Sequence, residues 1–99
     1  MDDDTLLHCR VTVPEHVVRR HFAEETIALN LETGRYHGLN KTAAAMLDAL
    51  EDGAEPALLV LEIAAGSGEP VSRIEADVLT LLRVLAERDL VEVHDRGAA

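Results

Sequence analysis

Between Glu24 and Leu50 the apolar residues change their spacing from two to three-and-four with no linker in between. Ile27, Leu29 and Leu31 alternate with Thr26, Ala28 and Asn30, the period of a half-buried strand. Glu32-Thr33-Gly34-Arg35 carries a glycine able to take positive φ, so the chain can reverse there and return as Tyr36-His37-Gly38-Leu39. Asn40 is placed to cap the next helix, whose Ala43, Met46, Leu47 and Leu50 form one stripe, with Gly53 as its stop. A hairpin feeding straight into a capped helix requires an α+β fold.

The flanking segments extend this pattern. Cys9-Arg10-Val11-Thr12-Val13 alternates and reads as a strand ended by Pro14. Val17, Val18 and Phe22 lie in a connector. The expected sheet is therefore three-stranded and antiparallel, built from Cys9–Val13, the Ile27 strand and Tyr36–Leu39, with Ile27, Leu29 and Leu31 holding it to the core. A second helix opens near Pro56. Its Leu58, Leu59, Val60, Leu61 and Ile63 make it apolar nearly all round, hence largely buried. Gly66 to Pro70 is a breaker. Ser72 with Glu75 matches a capping box and opens the longest helix, whose core stripe is Ile74, Val78, Leu81, Leu82 and Leu85, with Leu79 and Val84 on its flanks. It ends near Arg88-Asp89, and Leu90–Val93 is a short terminal strand. Residues 1–5 and 95–99 read as frayed ends. The whole is one domain spanning 1–99, ordered over about 6–94, spaced like a winged helix-turn-helix with three helices after the sheet.

Charge narrows the partners. Nine basic residues against nineteen acidic ones give a formal charge of −10, which disfavours nucleic acid and anionic membrane surfaces. The longest helix sets Arg73, Arg83 and Arg88 against Glu75, Asp77, Glu87 and Asp89, too balanced for a phosphate footprint. The five histidines form no HExxH motif and no Cys/His ligand set, so no metal or cofactor is expected. Cys9 is alone and reads as a small buried hydrophobe rather than a nucleophile, and no glycine-rich loop precedes GK[ST]. Enzymatic activity is not expected. The acidic N-terminus lacks a signal peptide's basic region and no apolar run spans a bilayer, so a cytoplasmic protein is expected.

A binding surface remains. If Tyr36 to Leu39 forms a sheet edge, its unpaired backbone groups would accept an extended peptide as a further strand. The same edge could equally be covered by the chain's own terminus, and the pattern leaves both open.

The stretch from Thr26 to Ala43, with its strand, E-x-x-G turn, aromatic, short strand and L-N-x-x-A entry to a helix, resembles the signature of PqqD-like proteins. Ile74-Glu75-Ala76-Asp77-Val78, Leu81-Leu82, Leu85 and Arg88-Asp89-Leu90-Val91 match the family downstream, with Asp89 where the family usually has glycine. The resemblance covers about residues 10–93. It implies a winged-helix-like domain that recognises leader peptides of ribosomally made, modified peptides as an added strand, and delivers them to a peptidase or other modifying enzyme. The pairing edge would then be Tyr36, His37, Gly38 and Leu39. Asp77, Val78, Leu81, Leu82, Val84 and Leu85 would supply the groove or the core beneath it, and Leu29 completes the expected peptide-binding set. Stand-alone members of this size are similar to leader-binding proteins of lasso-peptide pathways. The alternatives are a PqqD-type chaperone for a radical-SAM enzyme and a DNA-binding winged helix.

Overall fold

A computed structural model describes residues 1–95. Its elements are α1 (Asp3–Leu7), β1 (Arg10–Thr12), β2 (Val17–His21), β3 (Thr26–Asn30), β4 (Tyr36–Leu39), α2 (Lys41–Leu50), α3 (Pro56–Ser67), α4 (Val71–Glu87) and β5 (Glu92–His94). The architecture is α+β, a three-stranded antiparallel sheet followed by three helices.

The sheet's membership differs from expectation. Its order is β2-β3-β4, and β1 instead pairs with β5 as a separate two-stranded ribbon, Val11 opposite Val93. The supposed connector is thus a strand. Val17 sits in the core, and Arg19 reaches from β2 to Asp48 and Glu51 near the end of α2 at 3.1 and 3.2 Å. Those long-range partners are absent from any local pattern.

The phase of β3 is also reversed. Thr26, Ala28 and Asn30 face the core at 6%, 0% and 1% exposure, while Ile27 and Leu29 are half-buried on the outer face and Leu31 is exposed. Ala28 offers the core cluster only a methyl group, which suits close packing, and Asn30 enters it with its polar atoms satisfied.

The helices follow their end signals with two exceptions, the first being that α3 runs through Gly66 and Ser67 of the expected breaker. Asn40 Oδ1 accepts from the Ala43 amide at 2.8 Å, Pro56 stands in the first turn of α3, and Gly68 closes that helix at φ 74°. Ser72, however, caps nothing. Pro70, extended at ψ 139°, sets the boundary of α4 one residue ahead of Val71, so Ser72 falls inside the first turn. Of α3 only Pro56, Leu59 and Val60 are buried, whereas Leu58 and Leu61 are exposed. The expected ends differ as well: Asp2 caps α1 through Thr5, and Leu6 and Leu7 pack into the core. Arg83 of α4 secures that helix through Asp3 at 2.7 Å. The expectation for 95–99 falls outside the described residues after Asp95.

Leu47, Leu50, Leu82, Leu85, Leu90 and Val11 form the fully buried centre. Among the described residues no helix is long and apolar enough to cross a membrane.

The end of α4 and the β3–β4 turn are tied together. The amides of Asp89 and Leu90 return to the carbonyls of Ala86 and Leu85 at 3.1 and 3.0 Å, the Schellman pattern, with Asp89 at φ 56° in the left-handed position. Asn30 Nδ2 donates to the Asp89 carbonyl at 2.9 Å, and its Oδ1 accepts from the amides of Glu32 and Thr33.

Candidate functional site

The β4 edge is open among the described residues, since the three-stranded sheet ends at β4 and the terminal β5 lies on β1. Antiparallel pairs alternate between hydrogen-bonded and non-bonded positions. The Asn30 amide donates to the Arg35 carbonyl at 2.9 Å, and Ala28 lies opposite His37 and Thr26 opposite Leu39. His37 and Leu39 therefore turn their backbone groups toward β3. Tyr36 and Gly38 turn theirs outward, two donors and two acceptors ready for another strand.

Side chains alternate across the same strand. Leu39 is buried at 3% and His37 is half-buried, both on the side of the helices, while Tyr36 points to the outer face at 72% exposure. On α4 the core stripe is Ile74, Val78, Leu79, Leu82 and Leu85, so Leu79 takes the place expected of Leu81. Asp77, Leu81, Val84 and Arg88 stand beside it at helical spacing, exposed or half-buried. Asp77 and Leu81 of this stripe line one cavity and Arg88 another, while Val84 lies between them along the helix and borders a third with Thr80 and Arg83.

Two separate cavities of opposite character lie along α4, one bordered by Asp77 and Leu81 and one by Arg88. Where β4 runs into α2, a cavity of about 470 Å³ is lined mainly by Met46, Leu59, Ile63, Ile74, Val78 and Leu81, with Lys41 and Asp77 also bordering it. Toward the hairpin turn, a cavity of about 420 Å³ is lined by Thr33, Arg35, His37, Glu87, Arg88 and Asp89. Two such cavities can seat an extended chain with an apolar anchor in one and a polar side chain in the other.

The expected site residues thus separate. His37, Gly38, Asp77 and Leu81 border the edge or the cavities beside it, Tyr36 contributes outward backbone, and Val84 lines a different cavity with Thr80 and Arg83. Leu39, Leu82 and Leu85 are core, and Val78, though buried, floors the apolar cavity. Leu29 lies on the opposite face of the sheet, with Val18, Phe22 and Leu31. Arg35, Lys41, Met46, Ile63 and Arg88 were not among the expected residues. The reach of Arg35 and Arg88 into one cavity depends on the turn at Asp89, which no periodicity reports. No arrangement of His, Cys, Asp and Glu among the described residues suits a metal ion.

The family model for coenzyme PQQ synthesis protein D (PqqD) matches residues 25–91, which takes in the edge, the groove and α4. The chain belongs to the PqqD family. This PqqD-family chain is similar over 82% of its length to TbiB1, solved in complex with the TbiA(beta) leader peptide, at 32% identity with a TM-score of 0.72 and covering 94% of that chain. It also shares its fold with a lasso peptide synthetase B1 complexed with leader peptide, at 22% identity and a TM-score of 0.71, over 83% of this chain and 96% of that one. No curated protein matches it. The glycine that closes α4 in the family pattern is Asp89 here, and the left-handed φ at that position explains why glycine is the usual residue.

Proposed function

We propose that this protein is a leader-peptide recognition element that captures the leader of a ribosomally made precursor as a strand beside β4 and delivers it to a peptidase or other modifying enzyme of lasso-peptide biosynthesis. The observation that carries the reading is the open pair of outward residues, Tyr36 and Gly38, lying beside a groove. The similarity to TbiB1, a protein solved with a leader peptide bound, supports the same occupant.

The protein contributes no chemistry of its own in this reading. Backbone hydrogen bonds supply affinity, the groove selects side chains, and tethering raises the local concentration of precursor at the enzyme. The enzyme needs a separate surface, and the outer sheet face supplies one. Val18, Phe22, Leu31 and Tyr36 are exposed there around half-buried Ile27 and Leu29, an apolar patch of the kind that marks a protein interface.

Gly38→Pro tests the edge, since it removes an outward donor while leaving the β3 ladder bonds of His37 and Leu39 intact. Gly38→Ala controls for the added carbon, which meets the movable carboxylate of Glu25 at 3.2 Å. Proline should weaken leader binding about tenfold, one lost strand bond with its desolvation, and alanine far less. Equal affinity for both variants, folded by circular dichroism, would refute strand addition at β4. Phe22→Ser with Leu31→Ser should leave leader affinity unchanged and lower the rate of leader removal.

A further inference from the structure

Arg35 and Arg88 line the same cavity, one from the hairpin turn and one from the end of α4, and His37 of β4 lines it too. Neither forms an ion pair among the described residues, although nineteen acidic residues are available in the chain. Arg19, Arg73 and Arg83 are paired with Asp48, Glu69 and Asp3 at 3.1, 3.5 and 2.7 Å, whereas Arg10 meets only the Asp52 carbonyl and Arg20, like Arg35 and Arg88, forms no ion pair among the described residues. The carboxylates of Glu87 and Asp89 border the cavity too, yet neither is paired with either guanidinium. A cation at a helix C-terminus complements the helix dipole, which accounts for Arg88 but not for Arg35 opposite it.

Resting on the leader-binding reading, we propose that the bound peptide must carry an aspartate or glutamate whose carboxylate is held between Arg35 and Arg88. Guanidinium groups suit a carboxylate because their planar donors can engage both oxygens. In this proposal the incoming strand runs antiparallel to β4, the sense of both existing pairings in the sheet. Its N-terminal part then meets the apolar cavity at the α2 end, and its C-terminal part meets the arginines. Arg35 and Leu39 are separated along an extended strand at about 3.3 Å per residue, and only alternate side chains face the helix. The acidic residue therefore lies about four or six positions after the apolar anchor.

A displayed library of short random peptides, selected on the full-length protein and on its R35Q/R88Q variant, tests this. Peptides retained by the parent should share an apolar residue followed at that even spacing by Asp or Glu. On R35Q/R88Q the acidic preference should vanish while the apolar one persists, and a representative peptide should lose about tenfold in affinity. Both arginines are exposed, so the variant should stay folded, which circular dichroism verifies. Apolar-anchored peptides without an acidic preference, or with one that survives in the variant, would overturn the proposal and leave leader binding standing. Failure of the folded parent to enrich any peptide would overturn both.

Discussion

Asn30→Ala should be among the most damaging substitutions of a polar residue in this protein. The side chain is 1% exposed and makes three hydrogen bonds, to the amides of Glu32 and Thr33 at 2.9 and 3.2 Å and to the carbonyl of Asp89 at 2.9 Å. Each is worth about 1 kcal/mol net. Glu32, Thr33 and Asp89 are themselves exposed, so water can replace part of what is lost. The expected loss is about 2–3 kcal/mol, a large share of the roughly 5–15 kcal/mol that stabilises a domain. Urea unfolding followed by far-UV circular dichroism should show the midpoint falling by about 1–2 M with an unchanged slope. Asn30→Asp separates the bonds. It keeps the two acceptors but sets a carboxylate against the Asp89 carbonyl, which raises the carboxyl's pKa in the folded state. With a folded pKa above the unfolded one, the protonated form's contribution is present at acid pH and lost as pH rises, so the deficit of Asn30→Asp should shrink toward pH 4. A cost of Asn30→Ala below about 0.5 kcal/mol would refute the tie between hairpin and helix end, because surface substitutions alone reach that size.

The remaining expectations concern the turn, the N-terminal helix and the exposed face of α3. Asp89→Gly should relieve the left-handed backbone while keeping every backbone bond of the Schellman turn, and raise stability by about 0.5–1 kcal/mol in thermal unfolding. The Asp2 carboxyl lies below its usual range because the Thr5 amide donates to it, and the His8 imidazolium lies above its ordinary 6.5 through its bond to the Asp4 carbonyl. The Asp2 contribution is present above about 3.8 and fades as pH falls through its lowered value, while that of His8 is present below 6.5 and fades as pH rises through its raised value. Helix α1 should therefore be best ordered between those limits, with the His8 ring titrating above 6.5 by NMR. Leu61→Gln should change stability by less than about 0.5 kcal/mol, whereas Leu59→Ala should cost about 2–4 kcal/mol, as urea unfolding would report.

Much of this fold is legible in the chain because local rules decide it. Asn40, Pro56, Gly53 and Gly68 act on their own neighbours, and each stands where those rules place it. Periodicity located α4 but not its rotation, since Leu79 and Leu81 are equally apolar and only packing selects Leu79. The two larger departures share one cause. In β3 the apolar residues face outward because small Ala28 and hydrogen-bonded Asn30 fill the inner face, and in α3 Leu58 and Leu61 stay exposed. Hydrophobicity measures what a residue gains from any burial, and within one chain a core is only the first taker. Both departures leave apolar side chains uncovered on a chain of charge −10, where solubility comes from charge elsewhere. The outer sheet face lies across the sheet from the helix side of β4, so the proposed leader binding and the proposed enzyme contact use different side chains. On the proposed function, substitutions around the end of β3 should divide by parity: changes at Asn30 lower stability, and changes at Leu31, just beyond the strand, spare stability and lower the delivery of precursor.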